Sequence, residues 1–422
     1  MALGVTTLTV RADPVEIEVT AESVRGLPRP GEEGGRLDPV DTGDSTGRTV
    51  ARTALWVLRA PVELVALPVR GAAMLLDRYE VLKAADPEDA GKPSRHSFSF
   101  TPDAAYETQF GFGVGLRGSV TNLLGAHDRF RLRGMAGGEY RWGTELGADS
   151  GTLLSRPVVA SIDGSWVQRD DDQVFAIGNE DGSAVGYNTR IARASARVRV
   201  QLPARLAVTA MSSLVHQRIE PDDPMVFTGG THRYAYNELA VAWDTRRQSH
   251  AWDAPGFSTG GRIAAYGGHQ HTLSDTPDFA RVGIDLQRYI HLTRLPRVLV
   301  LRFWAETITG DRDEVQFTDL PSLGGTQMLR GYVANRFRDR VATVAQVSYT
   351  WAADYHFWPV LFVDAGRVHA GLDDLSLDTP RVGFGGAIEA RSEKSTWLRI
   401  SVASSIDGGV TAYAAFNPSP DR

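Results

Sequence analysis

From residue 96 onward the chain alternates polar and apolar positions with a period of two. Arg129, Arg131 and Arg133 share one face of a segment whose other face carries Phe130 and Leu132. Arg193, Ser195, Arg197, Arg199 and Gln201 stand opposite Ala192, Ala194, Ala196, Val198 and Val200. Arg281, Asp285, Gln287 and His291 alternate with Val282, Ile284, Leu286 and Ile290. Arg302 and Glu306 alternate with Leu299, Leu301 and Phe303, and Arg399 and Ser401 with Leu398, Ile400 and Val402. Successive side chains of a strand point to opposite faces, so this pattern predicts β-strands with one wet and one apolar face.

A soluble sandwich would alternate in the same way. Two features favour a barrel in lipid. The predicted strands are long, as tilted spanning strands must be. Their connections also alternate, tight at 202–205, 295–297, 352–355 and 391–394, and long at 169–186, 219–232, 309–339 and 369–379. Short turns at one end and long loops at the other are the pattern of outer-membrane barrels. Lipid offers backbone groups no partner, so such a sheet must close on itself. The expected strands are sixteen, at 97–103, 108–118, 127–135, 139–148, 155–168, 187–201, 204–218, 233–245, 257–270, 279–292, 297–308, 340–352, 357–368, 380–391, 396–404 and 408–416. The expected fold is all-β, an antiparallel transmembrane barrel over 96–417. An even count puts both ends of the barrel on the short-turn, periplasmic side.

Ahead of the barrel the pattern differs. Residues 1–47 are rich in Pro, Gly, Asp and Glu and read as a disordered leader. Residues 1–12 are either the remnant of an export signal or a different kind of segment, since no positive start precedes the apolar run. Over 48–86 the charges Arg52, Arg59, Glu63, Arg70 and Asp77 are spaced seven, four, seven and seven apart, one stripe of a helix. Leu55, Trp56, Leu64, Leu67, Met74 and Leu75 fill the remaining surface, and Pro61 and Pro68 segment it. This is the pattern of an amphipathic helix lying at an interface or against a barrel mouth.

Composition narrows the functions. The 43 Gly, 12 Tyr, 16 Phe and 9 Trp suit a barrel with aromatic girdles. There is no Cys, which excludes disulfides, thiol catalysis and Cys-ligated metal. A net charge of −6 argues against nucleic acid as a partner. Motif-like strings lack their contexts. GDSTG at 43–47 has no strand before it to expose Ser45. GVGLRG at 113–118 lies in a predicted strand without a βαβ unit. His269 and His271 have no evident third ligand, and Asp170, Asp171 and Asp172 read as a solvated exterior loop. No catalytic set, metal site or cofactor is expected.

The stretch with most chemical character is LPSLGGTQMLRGY, 320–332, in the longest late gap between strands. Gly324 and Gly325 precede Arg330, Gly331 and Tyr332. FVDAG follows at 362–366 and puts Phe362, Asp364 and Gly366 on one face, with Val363 and Ala365 on the other. LGGTQMLRGY and FVDAG, with AIGNED (176–181), AWDTRR (242–247) and the opening SFSFTPDAAYETQFGFGVGL (97–116), resemble the BamA/TamA family of outer-membrane assembly barrels, the bacterial surface antigens. The resemblance covers about 96–416. It implies that a long loop enters the barrel and that Arg330 pairs with Asp364 in the lumen. The chain departs from the family pattern at three places. Ser348 stands where a second acidic partner is usual, residues 1–95 lack the helix and strand pattern of POTRA modules, and NPSPDR follows Phe416.

The lumen face would be basic, with Arg129, Arg131, Arg133, Arg193, Arg197, Arg199, Arg281, Arg302 and Arg399 against Asp163, Asp285, Glu306 and Asp364. Such a lining either favours anions or is an internal salt-bridge lattice that holds the loop. Two functions compete. One is insertion or translocation of proteins at the outer membrane, through a weak seam between the first and last strands, weakened by a short first strand and by Gly408 and Gly409. Its partners would be nascent outer-membrane proteins or a periplasmic protein, with outer-membrane lipids and lipopolysaccharide around it. The other is a pore or lipid-handling barrel that keeps the fold without assembly activity.

Overall fold

The computed structural model describes residues 97–416 apart from short connecting stretches at 125–126, 152–153, 155–156, 181, 224–228, 248–257, 275, 293–296, 354–355, 377 and 392–395. The expected leader and amphipathic helix lie outside the described residues.

Strands follow one another with little else between them. The first four are β1 (Ser97–Glu107), β2 (Gly111–Thr121), β3 (Arg129–Gly137) and β4 (Tyr140–Asp149). The longest follow: β5 (Val158–Val174), β6 (Val185–Gln201), β7 (Leu206–Pro221) and β8 (Gly230–Asp244). Then come β9 (Gly260–Thr272), β10 (Phe279–His291) and β11 (Arg297–Ile308). Two-residue strands β12 (Ser322–Leu323) and β13 (Phe337–Arg338) pair with each other inside the long loop. The last five are β14 (Val341–Trp351), β15 (Phe357–His369), β16 (Arg381–Arg391), β17 (Thr396–Ser405) and β18 (Val410–Phe416). Sixteen of these, all but β12 and β13, close into one antiparallel barrel in which β11 pairs directly with β14 and β1 with β18.

Exposure follows the two faces that the alternation defines. Outward-facing Leu116, Leu132, Leu146, Ile162, Leu214, Leu239, Ile263, Val282, Val363 and Val402 are exposed on the wall. Exposed apolar side chains in this number make sense only against lipid. The buried apolar core lies inside the barrel. Leu323, Leu329, Tyr332 and Phe337 of the loop pack on Trp304 of β11, Ala342 and Val344 of β14 and Val368 of β15. A second cluster joins Val315 and Leu320 of the loop to Phe279 and Ile308. At about 1.5–3 kcal/mol for each large apolar side chain removed from water, these contacts hold the loop in the lumen.

Three expectations change. Asp170, Asp171 and Asp172 do not lie in an exterior loop: β5 runs on to Val174. A bulge between Arg169 and Asp172, with Asp171 at φ 67, resets the alternation. It turns Asp172 to a buried position, where it accepts a hydrogen bond from Thr189 Oγ1 at 3.3 Å and pairs with Arg169 at 2.9 Å. The first strand is 11 residues, longer than expected. Gly408 and Gly409, at φ 89 and 85, form the turn before β18 and are not part of the seam.

Candidate functional site: the loop anchor and the closing seam

Arg330 sits where the long loop meets β15. Its backbone N–H and its Nε each donate to Asp364 Oδ2 at 2.8 Å, and its terminal nitrogen donates to Oδ1 at 2.6 Å. Asp364 is 0% exposed. The guanidinium lies 3.7 Å from the centre of the Phe362 ring, in cation–π range. Ser348, the residue the sequence places beside this pair, accepts a hydrogen bond from the same terminal nitrogen at 3.2 Å. A fully buried carboxylate with a fork-like cation and a backbone donor is satisfied only while the loop stays in place.

The glycines around this pair make close approach possible. Gly331 takes φ 99, and a Cβ on it would stand 2.3 Å from the Ser404 carbonyl. A Cβ on Gly383 of β16 would stand 1.7 Å from the Arg330 carbonyl, so the loop backbone rests directly on a bare strand. Gly366 leaves room for the Leu323 side chain. Gly324 and Gly325, at φ 116 and 87, turn the chain so that Gly325 N–H reaches the Tyr332 carbonyl at 2.9 Å. Tyr332 donates from its hydroxyl to Asp407 Oδ2 at 2.6 Å, and Asp407 pairs with Arg381 at 2.8 Å. That hydrogen bond holds the Asp407 carboxyl below its ordinary range, while burial pushes the Tyr332 hydroxyl up to about 12. Sequence reasoning missed Gly383 and Asp407. Both touch the loop from strands or turns more than 50 residues later, and no local pattern marks them.

The lumen is less basic than expected. Arg302 grips Asp285 through two nitrogens at 3.1 and 3.2 Å and reaches Gln346 at 3.3 Å. Gln346 in turn donates to the Gln327 carbonyl of the loop at 3.0 Å. Arg281 pairs with Glu306 and donates to the Asp319 carbonyl at 2.6 Å. Asp103 takes Arg117 at 3.1 Å and Arg133 Nε at 2.8 Å, and Arg131 meets Asp149 and Asp163 at 3.3 and 3.2 Å. Asp103, Asp149, Glu145 and Glu389, which the alternation did not single out, tie Arg131, Arg133 and Arg399 into the same kind of lattice, Glu145 at 3.7 Å from Arg133 and Glu389 at 3.6 Å from Arg399. Arg193, Arg197 and Arg199 of β6 differ, for all three are exposed. Arg193 interacts with Tyr234, and Arg197 meets the Met211 sulfur at 3.7 Å and no carboxylate among the described residues.

The other unusual feature is the closure. Among the described residues, β1 pairs with β2 over eleven residues but with β18 over four, from Ala104↔Phe416 to Glu107↔Tyr413. Thr108 adds a backbone bond to the Ala412 carbonyl at 3.0 Å. The remaining edge of β1, 97–103, has no β18 partner among the described residues. Phe98 and Phe100, 69% and 73% exposed, flank this edge on the outer face. On the inner side Ser97 and Ser99 face Thr121 and Ser119 at 2.5 and 2.7 Å.

A sixteen-stranded barrel with a lumenal loop and a short closing seam defines the class: a transmembrane β-barrel of outer-membrane type. The chain belongs to the Omp85 superfamily, whose domain matches residues 122–407. This is the grouping that the loop and FVDAG strings resemble. Among solved structures, BamA from Haemophilus ducreyi lacking POTRA domains 1–3 is similar over 76% of this chain and 70% of that one, at 14% identity and TM-score 0.58. CdiB from Acinetobacter baumannii is similar over 76% of this chain and 60% of that one, at 10% identity and TM-score 0.51. CdiB from Escherichia coli covers 75% and 62%, at 12% identity and TM-score 0.52. Comparison with curated protein sequences gave no match.

Proposed function

We propose that this protein works in the outer membrane as an insertion or translocation barrel for other proteins, and that the β1–β18 seam is its working part. The carrying observation is the difference, among the described residues, between four residue pairs at the seam and eleven at the neighbouring β1–β2 ladder. An unpaired strand edge is a template for an incoming strand. The superfamily and the fold support the outer-membrane placement. Nascent outer-membrane proteins, or a periplasmic protein that delivers them, are the partners this reading requires. The loop seats on β14 to β17, the strands that lead up to the seam, so those strands stay fixed while the seam opens.

The competing reading, a pore or lipid-handling barrel, draws on the exposed Arg197 and Arg199 of β6, which would favour anions in an open lumen. Depletion followed by measurement of outer-membrane protein levels, together with conductance of the reconstituted barrel, separates the two. The proposal expects a fall in those levels and no sustained single-channel current. Normal levels with clear anion-selective currents would reject it in favour of the pore.

A further inference from the structure

His269 and His271 of β9 take no part in the loop anchor or the seam. The structure places them on the outer wall. In β6 to β9 the inward positions Thr189, Gln217, His232 and Gln270 are buried, and the alternating outward positions Arg190, His216, Arg218, Arg233, His269 and His271 are exposed. Strand register makes these six one patch. Arg190 stands opposite Arg218, His216 opposite Arg233, and His271 and His269 opposite Ala235 and Asn237. Further along the same outward face, away from the long loops, the wall is apolar: Val198, Ala210, Leu239 and Val282, then Val241, Ala265 and Ile284. The cations therefore form a collar at the edge of the hydrocarbon band, at the long-loop end.

The three arginines of the collar are not equally neutralised, and Arg233 is the one without a carboxylate partner among the described residues. Glu220 serves two guanidiniums, Arg218 at 2.7 Å and Arg190 at 4.0 Å. Arg233 Nε donates to the His216 ring at 3.1 Å, and no carboxylate pairs with it among the described residues. Asp278 meets His271 at 2.8 Å, and Asp222 above the patch is engaged by Asn188 at 3.4 Å. Adjoining sectors of the wall lack such a cluster. Gln168 of β5 stands opposite Arg190, and Ala280 of β10 opposite His269. Asp170 is taken up by Arg141 at 3.1 Å. Arg367 of β15 is capped by the Asp378 carbonyl and Thr379.

We propose that this collar is a binding site for the phosphate groups of the outer-leaflet glycolipid, lipid A of lipopolysaccharide. Guanidiniums meet phosphate through paired hydrogen bonds. Their place at the top of the apolar band is where a lipid anchored by its acyl chains presents its phosphates. Acyl chains would lie along Leu214, Leu239 and Ile263, which are 60%, 56% and 50% exposed. The inference rests on the outer-membrane placement proposed above, with the long-loop end facing outward.

The test uses the whole chain, purified in detergent, and three probes: lipid A with two phosphates, lipid A with one, and phosphatidylglycerol. The wild type should bind the first at least about tenfold more tightly than the third, with the one-phosphate form between them. The triple variant R190S/R218S/R233S should lose roughly 100-fold in affinity for two-phosphate lipid A, following about 1 kcal/mol for each Arg near a charged membrane surface. Arg288→Ser, an outward Arg at the other end of the wall, should bind as the wild type does. Unboiled gel mobility identifies the folded barrels to be compared. Equal binding of lipid A and phosphatidylglycerol, or binding by the folded triple variant within twofold of wild type, overturns the site. Membrane fractionation of the wild type reports separately on the outer-membrane placement, because the binding assay does not depend on where the cell puts the protein.

Discussion

Two parts of one wall are held in opposite ways. From β11 through β16 the strands pair over ten or more residues each, and the loop covers their inner face with apolar side chains and one buried ion pair. Where β18 meets β1 there are four pairs among the described residues, and the loop reaches this region through polar contacts, Ala334 N–H to Gln109 at 2.8 Å and Tyr332 to Asp407 at 2.6 Å. The ladder chemistry is the same in both places. What differs is the number of bonds that must break together and how much buried surface breaks with them. A barrel needs a stiff part so that its weak part can open without the whole sheet unravelling.

The largest expected effect comes from breaking the stiff part at its centre. Arg330→Ala leaves Asp364 buried without its cation and should weaken loop docking by about 3–5 kcal/mol. Limited proteolysis of the folded barrel should then cut within 309–339. Asp364→Asn should act in the same direction, and the double change should cost little more than either single change. Full additivity would mean that the two side chains do not act as a pair.

Gly383→Ala sharpens the comparison, because it alters the seat and leaves the ion pair chemically intact. The added methyl group would overlap the Arg330 carbonyl, at 1.7 Å. Forcing a methyl group into so close a contact should cost about 1–3 kcal/mol and give the same proteolysis pattern. Protection equal to wild type would show that the loop does not rest on β16.

Hydrogen exchange compares the two regions within one molecule. Amides of 357–368 should be among the slowest, and those of 97–103 should exchange orders of magnitude faster. Matching rates would erase the distinction.

Smaller effects are expected at the Tyr332–Asp407 contact. Tyr332→Phe removes one hydrogen bond and should cost about 1 kcal/mol. Because the Asp407 pKa is depressed in the folded state, its contribution is present above the ordinary aspartate range and is lost as the pH falls through the lowered value. Loop protection should therefore hold from neutral pH to about 4 and decline below that, relative to Tyr332→Phe. A decline beginning near pH 6 would point to a histidine instead.

Much of this was legible from the chain. The sixteen strands follow from alternation and turn spacing, which are local. The parity of FVDAG puts Asp364 on the face to which Arg330 comes. The rest depends on register between distant strands. Nothing near Gly383 shows that a loop some 50 residues earlier will lie on it. Asp407 is an ordinary turn residue until Tyr332 arrives. The Asp172 bulge adds a single residue, and that reverses which aspartate faces inward. Among the described residues the seam is short because β18 meets only the second half of β1, which no local pattern marks.

The most direct test locks the seam. The chain has no cysteine, so Ala105→Cys with Ala415→Cys, directly paired residues, gives a barrel with one defined disulfide. The measurement is the level of newly assembled outer-membrane proteins in cells that depend on this variant, with the bond formed and then reduced. The account predicts loss of assembly when the bond is formed and recovery on reduction. Undiminished assembly with the seam fully cross-linked would contradict it.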